Sequence, residues 1–164
     1  MVRLRIQSFC AQAKEKVAVR KELQMEFSLG EFGIAASFGI SAVGAAIGMA
    51  ANGPAVIGAW KKCYLQKKPA PFILLVFAAT CLTNVIYGYL TMILLTPTLG
   101  DAKLLGLGVG TGLCIGIVAY TQAKCAAAAA DAYAETGQGL GNYLMVVGIA
   151  ETISLFAMVF TIIQ

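Results

Sequence analysis

The chain has 164 residues, enough for one domain, but 59% of them are hydrophobic, only 12% are charged and the mean hydropathy is +0.80. Soluble domains carry about 25% charged residues, so roughly half the charge expected of a water-facing surface is missing, which excludes a soluble fold, a nucleic-acid binder and a disordered chain. The net charge of +4 is concentrated at one end, because Arg3, Arg5, Lys14, Lys16, Arg20 and Lys21 supply half of the twelve bases. The sequence predicts an all-α integral membrane protein.

Residues 1–29 read as an N-terminal extension. Val2, Ile6, Phe9, Ala13 and Val17 recur at helical spacing among the basic residues, as in an amphipathic helix lying on a bilayer. A start at Met25 competes with that reading, since MEFSLGEFGIAASFG would make a short leader into the first span. No apolar core of the kind found in a secretory signal precedes Gly30.

A hydrocarbon core of ~30 Å needs about 20 apolar residues of helix. Four stretches qualify, at 33–60, 70–96, 104–130 and 140–163. The breaks between them are short: KKCYLQKKP at 61–69, TPTLGD ending at Asp101, and DAYAETGQG at 131–139. Consecutive spans must therefore pack antiparallel, giving one helical hairpin over 30–98 and a second over 102–164.

The first and third spans are rich in small residues. Gly44 and Gly48 are four apart in one, and Gly108, Gly112 and Gly116 in the other, the spacing that lets membrane helices approach backbone to backbone. A shift of 68 positions lays the halves on each other. Gly44 then falls on Gly112, Gly48 on Gly116, Ala51 on Ala119, Ala55 on Ala123, Ala59 on Ala127 and Thr83 on Glu151, although Ile40 falls on Gly108. The chain reads as a duplicated hairpin whose glycine-rich helices form a tightly packed inner layer.

Polar chemistry within the spans is sparse and pointed. There is no histidine, and the five cysteines form no C-x-x-C pair, so they read as small apolar filler rather than as a zinc site or a disulfide frame. Glu151 lies at the midpoint of the last span, in LMVVGIAETISLFAMVF. A carboxylate at that depth is costly and marks function unless a neutral acid serves only to glue helices. Thr80, Thr83, Asn84, Tyr87 and Thr91 share one face of the second span, at i, i+3, i+4, i+7 and i+11. Isolated threonines usually bond to their own backbone, but this stripe includes a mid-span asparagine. With Gln122 in the third span, the set is all oxygen donors, suited to a hard cation.

At LTNVIYGYL, TQAKCAAAAA and AETISLF the chain resembles the membrane-rotor proteolipid, subunit K or c, of the vacuolar and archaeal-type rotary ATPases. The resemblance spans about 30–164. It implies a homo-oligomeric ring of doubled hairpins carrying Na+ or H+ past a stator membrane subunit of the a/I type and turning with central-stalk subunits. ATP hydrolysis or synthesis would happen elsewhere in the complex; this chain would be non-catalytic, without organic cofactor, and it has no phosphate-binding loop. By the pattern of sodium-carrying members, Glu151, Gln122, Thr83 and the residue at 84 would ligate the ion, the Thr80 carbonyl would complete the site and Tyr87 would support it. Asn84 departs from that pattern, standing where a glutamine is expected and one methylene shorter, which puts its reach to the ion in question.

Lys61, Lys62, Lys67 and Lys68 place the first hairpin loop in the cytoplasm, and the 131–139 loop with it, by the positive-inside rule. The basic tail opposes that orientation. A passive pore or small scaffold using Glu151 for assembly is the rival from another class.

Overall fold

The computed structural model describes residues 28–95 and 99–164; the readings made for the basic tail, for Met25 and for Cys10 lie outside the described residues. Four helices follow one another: α1 (Leu29–Leu65), α2 (Leu74–Leu94), α3 (Asp101–Thr136) and α4 (Leu140–Ile162). Each is long and apolar enough to cross a membrane. The described part of the chain is all-helical, and the protein is an integral membrane protein.

The helix ends follow from local chemistry. Ser28 caps α1, its hydroxyl accepting the Glu31 N–H at 3.0 Å, which satisfies a first-turn donor that has no partner inside the helix. At the far end of α3, Gly137 takes a left-handed φ of +67° and its N–H donates to the Tyr133 carbonyl at 2.8 Å, a helix stop that glycine adopts without steric cost. Gly139, at φ +82°, completes the reversal.

The predicted loops are shorter than expected at both sites. Residues 61–65 belong to α1, and 131–136 belong to α3. Alanine has the highest helix propensity of any residue type, so the alanine-rich α3 runs through DAYAET until Gly137 ends it. At the other loop, the Trp60 indole N–H donates to the Pro71 carbonyl at 3.1 Å, tying the turn back onto α1. With 37 and 36 residues, α1 and α3 each run to about 55 Å, well beyond a hydrocarbon core of ~30 Å.

α1 and α3 lie parallel and pack most extensively, as paired points along them show: Gly33 beside Leu105, Gly44 beside Gly116, Gly48 beside Ala119, and Cys63 beside Ala134. A Cβ on Gly44 would sit inside the backbone of Gly116, and one on Gly108 inside the carbonyl of Gly33. This is close approach of helix backbones, and it occurs within a single chain. α2 touches all three other helices, α4 packs on α2 and α3, and α1 makes no contact with α4 among the described residues.

Two apolar clusters fill the interior. One holds Val56, Ala59, Leu74, Phe77, Ala126, Ala130 and Val147 towards the loop end; the other holds Ala45, Cys81, Ala119 and Ala123. α4 is gripped along a narrow seam: its buried residues are Val147, Ser154 and Thr161, seven apart. Met145, Ile149, Ile153, Phe156 and Phe160 point outwards, as lipid- or neighbour-facing residues do.

Outside the apolar interior, Lys62 bridges the hairpins by ion pairs to Asp131 at 2.6 Å and Glu135 at 3.0 Å. All three side chains are exposed, where water screens such pairs to little net value. Lys62→Ala should leave the thermal midpoint of the detergent-solubilised protein within experimental scatter, as read by tryptophan fluorescence on heating.

Candidate functional site

The stripe on α2 meets α3 and α4 at mid-height. Glu151, half-buried on α4, accepts the Tyr87 hydroxyl on Oε1 at 3.0 Å and the Gln122 amide N–H on Oε2 at 3.4 Å. Gln122 is fully buried on α3, and its Nε2 also donates to the Val147 carbonyl at 3.4 Å. Its own oxygen, Oε1, accepts from Asn84 Nδ2 at 2.5 Å. Asn84, fully buried on α2, accepts the Ser154 hydroxyl on Oδ1 at 2.5 Å.

Tyr87, Asn84, Gln122 and Glu151 are thus brought together from three helices. Thr80 and Thr83 lie on the same face of α2, half-buried, but their hydroxyls bond to their own helix. Thr83 Oγ1 donates to the Thr80 carbonyl at 3.0 Å and Thr80 Oγ1 to the Phe77 carbonyl at 2.9 Å. That pairing follows the habit of threonine in apolar helices, where a backbone carbonyl is the nearest acceptor. It also sets the Thr83 hydroxyl beside the Thr80 carbonyl, two oxygens of the expected ligand set. Asn84 is arranged differently from the ligand expected of it: its amide oxygen is turned to Ser154, and its nitrogen faces Gln122.

Sequence reading missed two buried polar groups, one at the site and one outside it. Ser154 follows Glu151 by three residues and shares its helix face; the spacing was visible in AETISLF, and a serine in an apolar span asks for a partner. Asn52, fully buried on α1, donates to the Phe77 carbonyl and leaves its own Oδ1 without a partner. No sequence pattern pointed to it.

Among the described residues no lysine pairs with Glu151; the ion pairs found there are those of Lys62. Lys124, two residues beyond Gln122, is exposed on another face of α3 with its ammonium 4.8 Å from the Tyr120 ring. The carboxyl group is therefore held by neutral donors alone. Chemically, such a group can bind and release a proton, or share a cation with the amide oxygen of Gln122 and the α2 oxygens. Among the described residues, no cluster of three histidine, cysteine or acidic side chains offers a transition-metal site.

Residues 105–164 match the family model for the C subunit of ATP synthase. The matched stretch is α3 and α4, the hairpin that contributes Gln122, Ser154 and Glu151. That proteolipid family includes the rotors of F- and V-type machines, and its proteins form homo-oligomeric rings within ATPase complexes. No curated protein matches the chain.

Proposed function

We propose that the chain is an ion-carrying rotor subunit of a V/A-type rotary ATPase, in which Glu151 binds Na+ and ring rotation carries it across the membrane. The observation that supports this reading best is the seating of Glu151: the one acidic side chain at mid-height of a span, drawn between α2 and α3 by Tyr87 and Gln122. In this reading the ligands are the Glu151 carboxylate, the Gln122 amide oxygen through the lone pair that Asn84 Nδ2 leaves open, the Thr83 hydroxyl and the Thr80 carbonyl, with Tyr87 holding the carboxylate. Copies would associate through the outward apolar faces of α2 and α4, and the ring would run against a stator a/I-type subunit and a central stalk. The hairpin loops, with Lys61, Lys62, Lys67 and Lys68, would face the cytoplasm.

Duplication of the hairpin fits the parallel course of α1 and α3, and only the second half carries an acid within its span. Each subunit then moves one ion per two hairpins, which suits pumping driven by ATP because each ion receives a larger share of the hydrolysis energy.

A proton-carrying version of the same subunit is favoured by one specific observation. With Asn84 Oδ1 accepting from Ser154 and Gln122 Oε1 accepting from Asn84, both amide oxygens are already engaged by protein donors, and a proton needs neither of them. A hydrophobic carbodiimide, which reacts with a neutral, lipid-accessible carboxyl, separates the readings. For a sodium carrier it should modify Glu151 alone, and added sodium at fixed pH should protect it. Modification that sodium leaves untouched identifies a proton carrier. Absence of modification at Glu151 would instead support a scaffold that uses the acid as interhelical glue.

A further inference from the structure

The hydrogen bonds around Glu151 form a chain that begins and ends on α4. It leaves α4 at Ser154, crosses α2 at Asn84 and α3 at Gln122, and returns to α4 at Glu151, three residues from its start. Each bond has a direction. The Ser154 hydroxyl donates to the Asn84 oxygen, the Asn84 nitrogen to the Gln122 oxygen, and the Gln122 nitrogen to the carboxylate. Ser154, Asn84 and Gln122 are all fully buried, so none of these groups has water as an alternative partner.

An amide has one accepting end and one donating end, so turning Asn84 over would set its oxygen against that of Gln122. Turning Gln122 over as well would aim an amide oxygen at the carboxylate and at the Val147 carbonyl in place of a donor. Two acceptors, Glu151 Oε2 and the Val147 carbonyl, set the sense of Gln122 and through it that of Asn84, and the Ser154 hydroxyl is the buried donor that this sense requires at Asn84 Oδ1. Both ends of the Asn84 amide are engaged, the nitrogen on Gln122 and the oxygen on Ser154, which commits the side chain to a strut between them.

Resting on the rotor-subunit reading above, we infer that Ser154 is a positioning residue of the ion site: through Asn84 it holds the Gln122 amide in register with Glu151 and so sets the affinity for the carried cation. Asn84 then acts through its nitrogen and is not itself a ligand. Loss of the serine hydroxyl would leave Asn84 Oδ1 buried without a donor, a costly state in a dry interior, and the amide would reorient and release Gln122.

The test is carbodiimide labelling of Glu151 in native membranes containing the assembled full-length protein, titrated with sodium at fixed pH. Four forms are compared: the parent, Ser154→Ala, Ser154→Cys and Ser154→Thr. Cysteine keeps the volume but is a weak donor, and threonine keeps the hydroxyl. Labelling of Glu151 without sodium should persist in all four, and each titration is normalised to its own sodium-free rate; loss of labelling in Ala and Cys would overturn a role confined to cation affinity. The sodium concentration giving half-protection should rise about fivefold in the Ala and Cys variants, the scale of one buried side-chain hydrogen bond, and return to the parent value with Thr. Ala and Cys curves that coincide with the parent, or that shift to lower sodium, overturn the role given to Ser154 while leaving the ion site standing. A Thr variant that groups with Ala removes the hydroxyl from the explanation and overturns it too. Parent labelling that sodium does not affect overturns the sodium reading itself, and this inference with it.

Discussion

Glu151→Gln should reduce ion transport coupled to ATP hydrolysis to background while leaving the helical bundle folded. The amide is nearly the same shape, and its oxygen can still accept the Tyr87 hydroxyl, the 3.0 Å contact that seats the side chain. Its nitrogen would face the Gln122 donor instead of accepting from it, so one 3.4 Å bond is lost. A single hydrogen bond of that kind is worth about 1 kcal/mol net, too little to unfold four packed helices. The change removes the one property the proposed cycle depends on, alternation between a charged and a neutral or ion-paired state. Transport by reconstituted complexes, together with helical content and melting of the purified variant, separates the two effects. Coupled transport that survives this substitution would remove Glu151 as the carrier.

Gly44→Leu should prevent the protein from folding, before any question of assembly arises. The glycine-rich rows predict a tightly packed inner layer. The structure places the contact inside one chain, where the Cα of Gly44 lies against the backbone of Gly116. Overpacking a core that can adjust its side chains costs about 1–3 kcal/mol; here the obstacle is backbone, with no rotamer to change, and the cost should exceed that range. A useful control lies five residues earlier, since Gly39 faces open space. Gly39→Leu should give normal yields of folded, detergent-solubilised protein, and Gly44→Leu essentially none. Equal yields from the two would contradict the close parallel packing of α1 and α3.

Much of this arrangement could be read from residue order. Spans were legible because hydrocarbon imposes a long, unbroken apolar run, and the glycine rows because backbone contact tolerates little else. Helix limits were less legible at 61–65 and at 131–136, where charge suggested a loop but alanine propensity, tertiary packing and the Gly137 stop decide for helix. At the site, helical spacing correctly put Asn84 and Tyr87 on one face and centred Glu151 in its span. It could not show which end of an amide faces which neighbour, because that depends on residues seventy positions away. Ser154 is the clearest instance: it satisfies Asn84 across two helices, and no local pattern reveals such a pairing.

The uneven grip on the four helices has a mechanical consequence. α1 and α3 are fused along glycine and alanine with no room to slide, whereas α4 is buried at Val147, Ser154 and Thr161 alone and is half-buried or exposed elsewhere. The charge-bearing helix is thus the one with least to lose by turning. A rotation about that seam, or a swing of the Glu151 side chain away from Tyr87, breaks a few polar contacts and leaves the α1–α3 pair intact. Stiffness and responsiveness are assigned to different elements: one pair behaves as a strut that transmits displacement without deforming, and one helix as a latch that answers to the local environment.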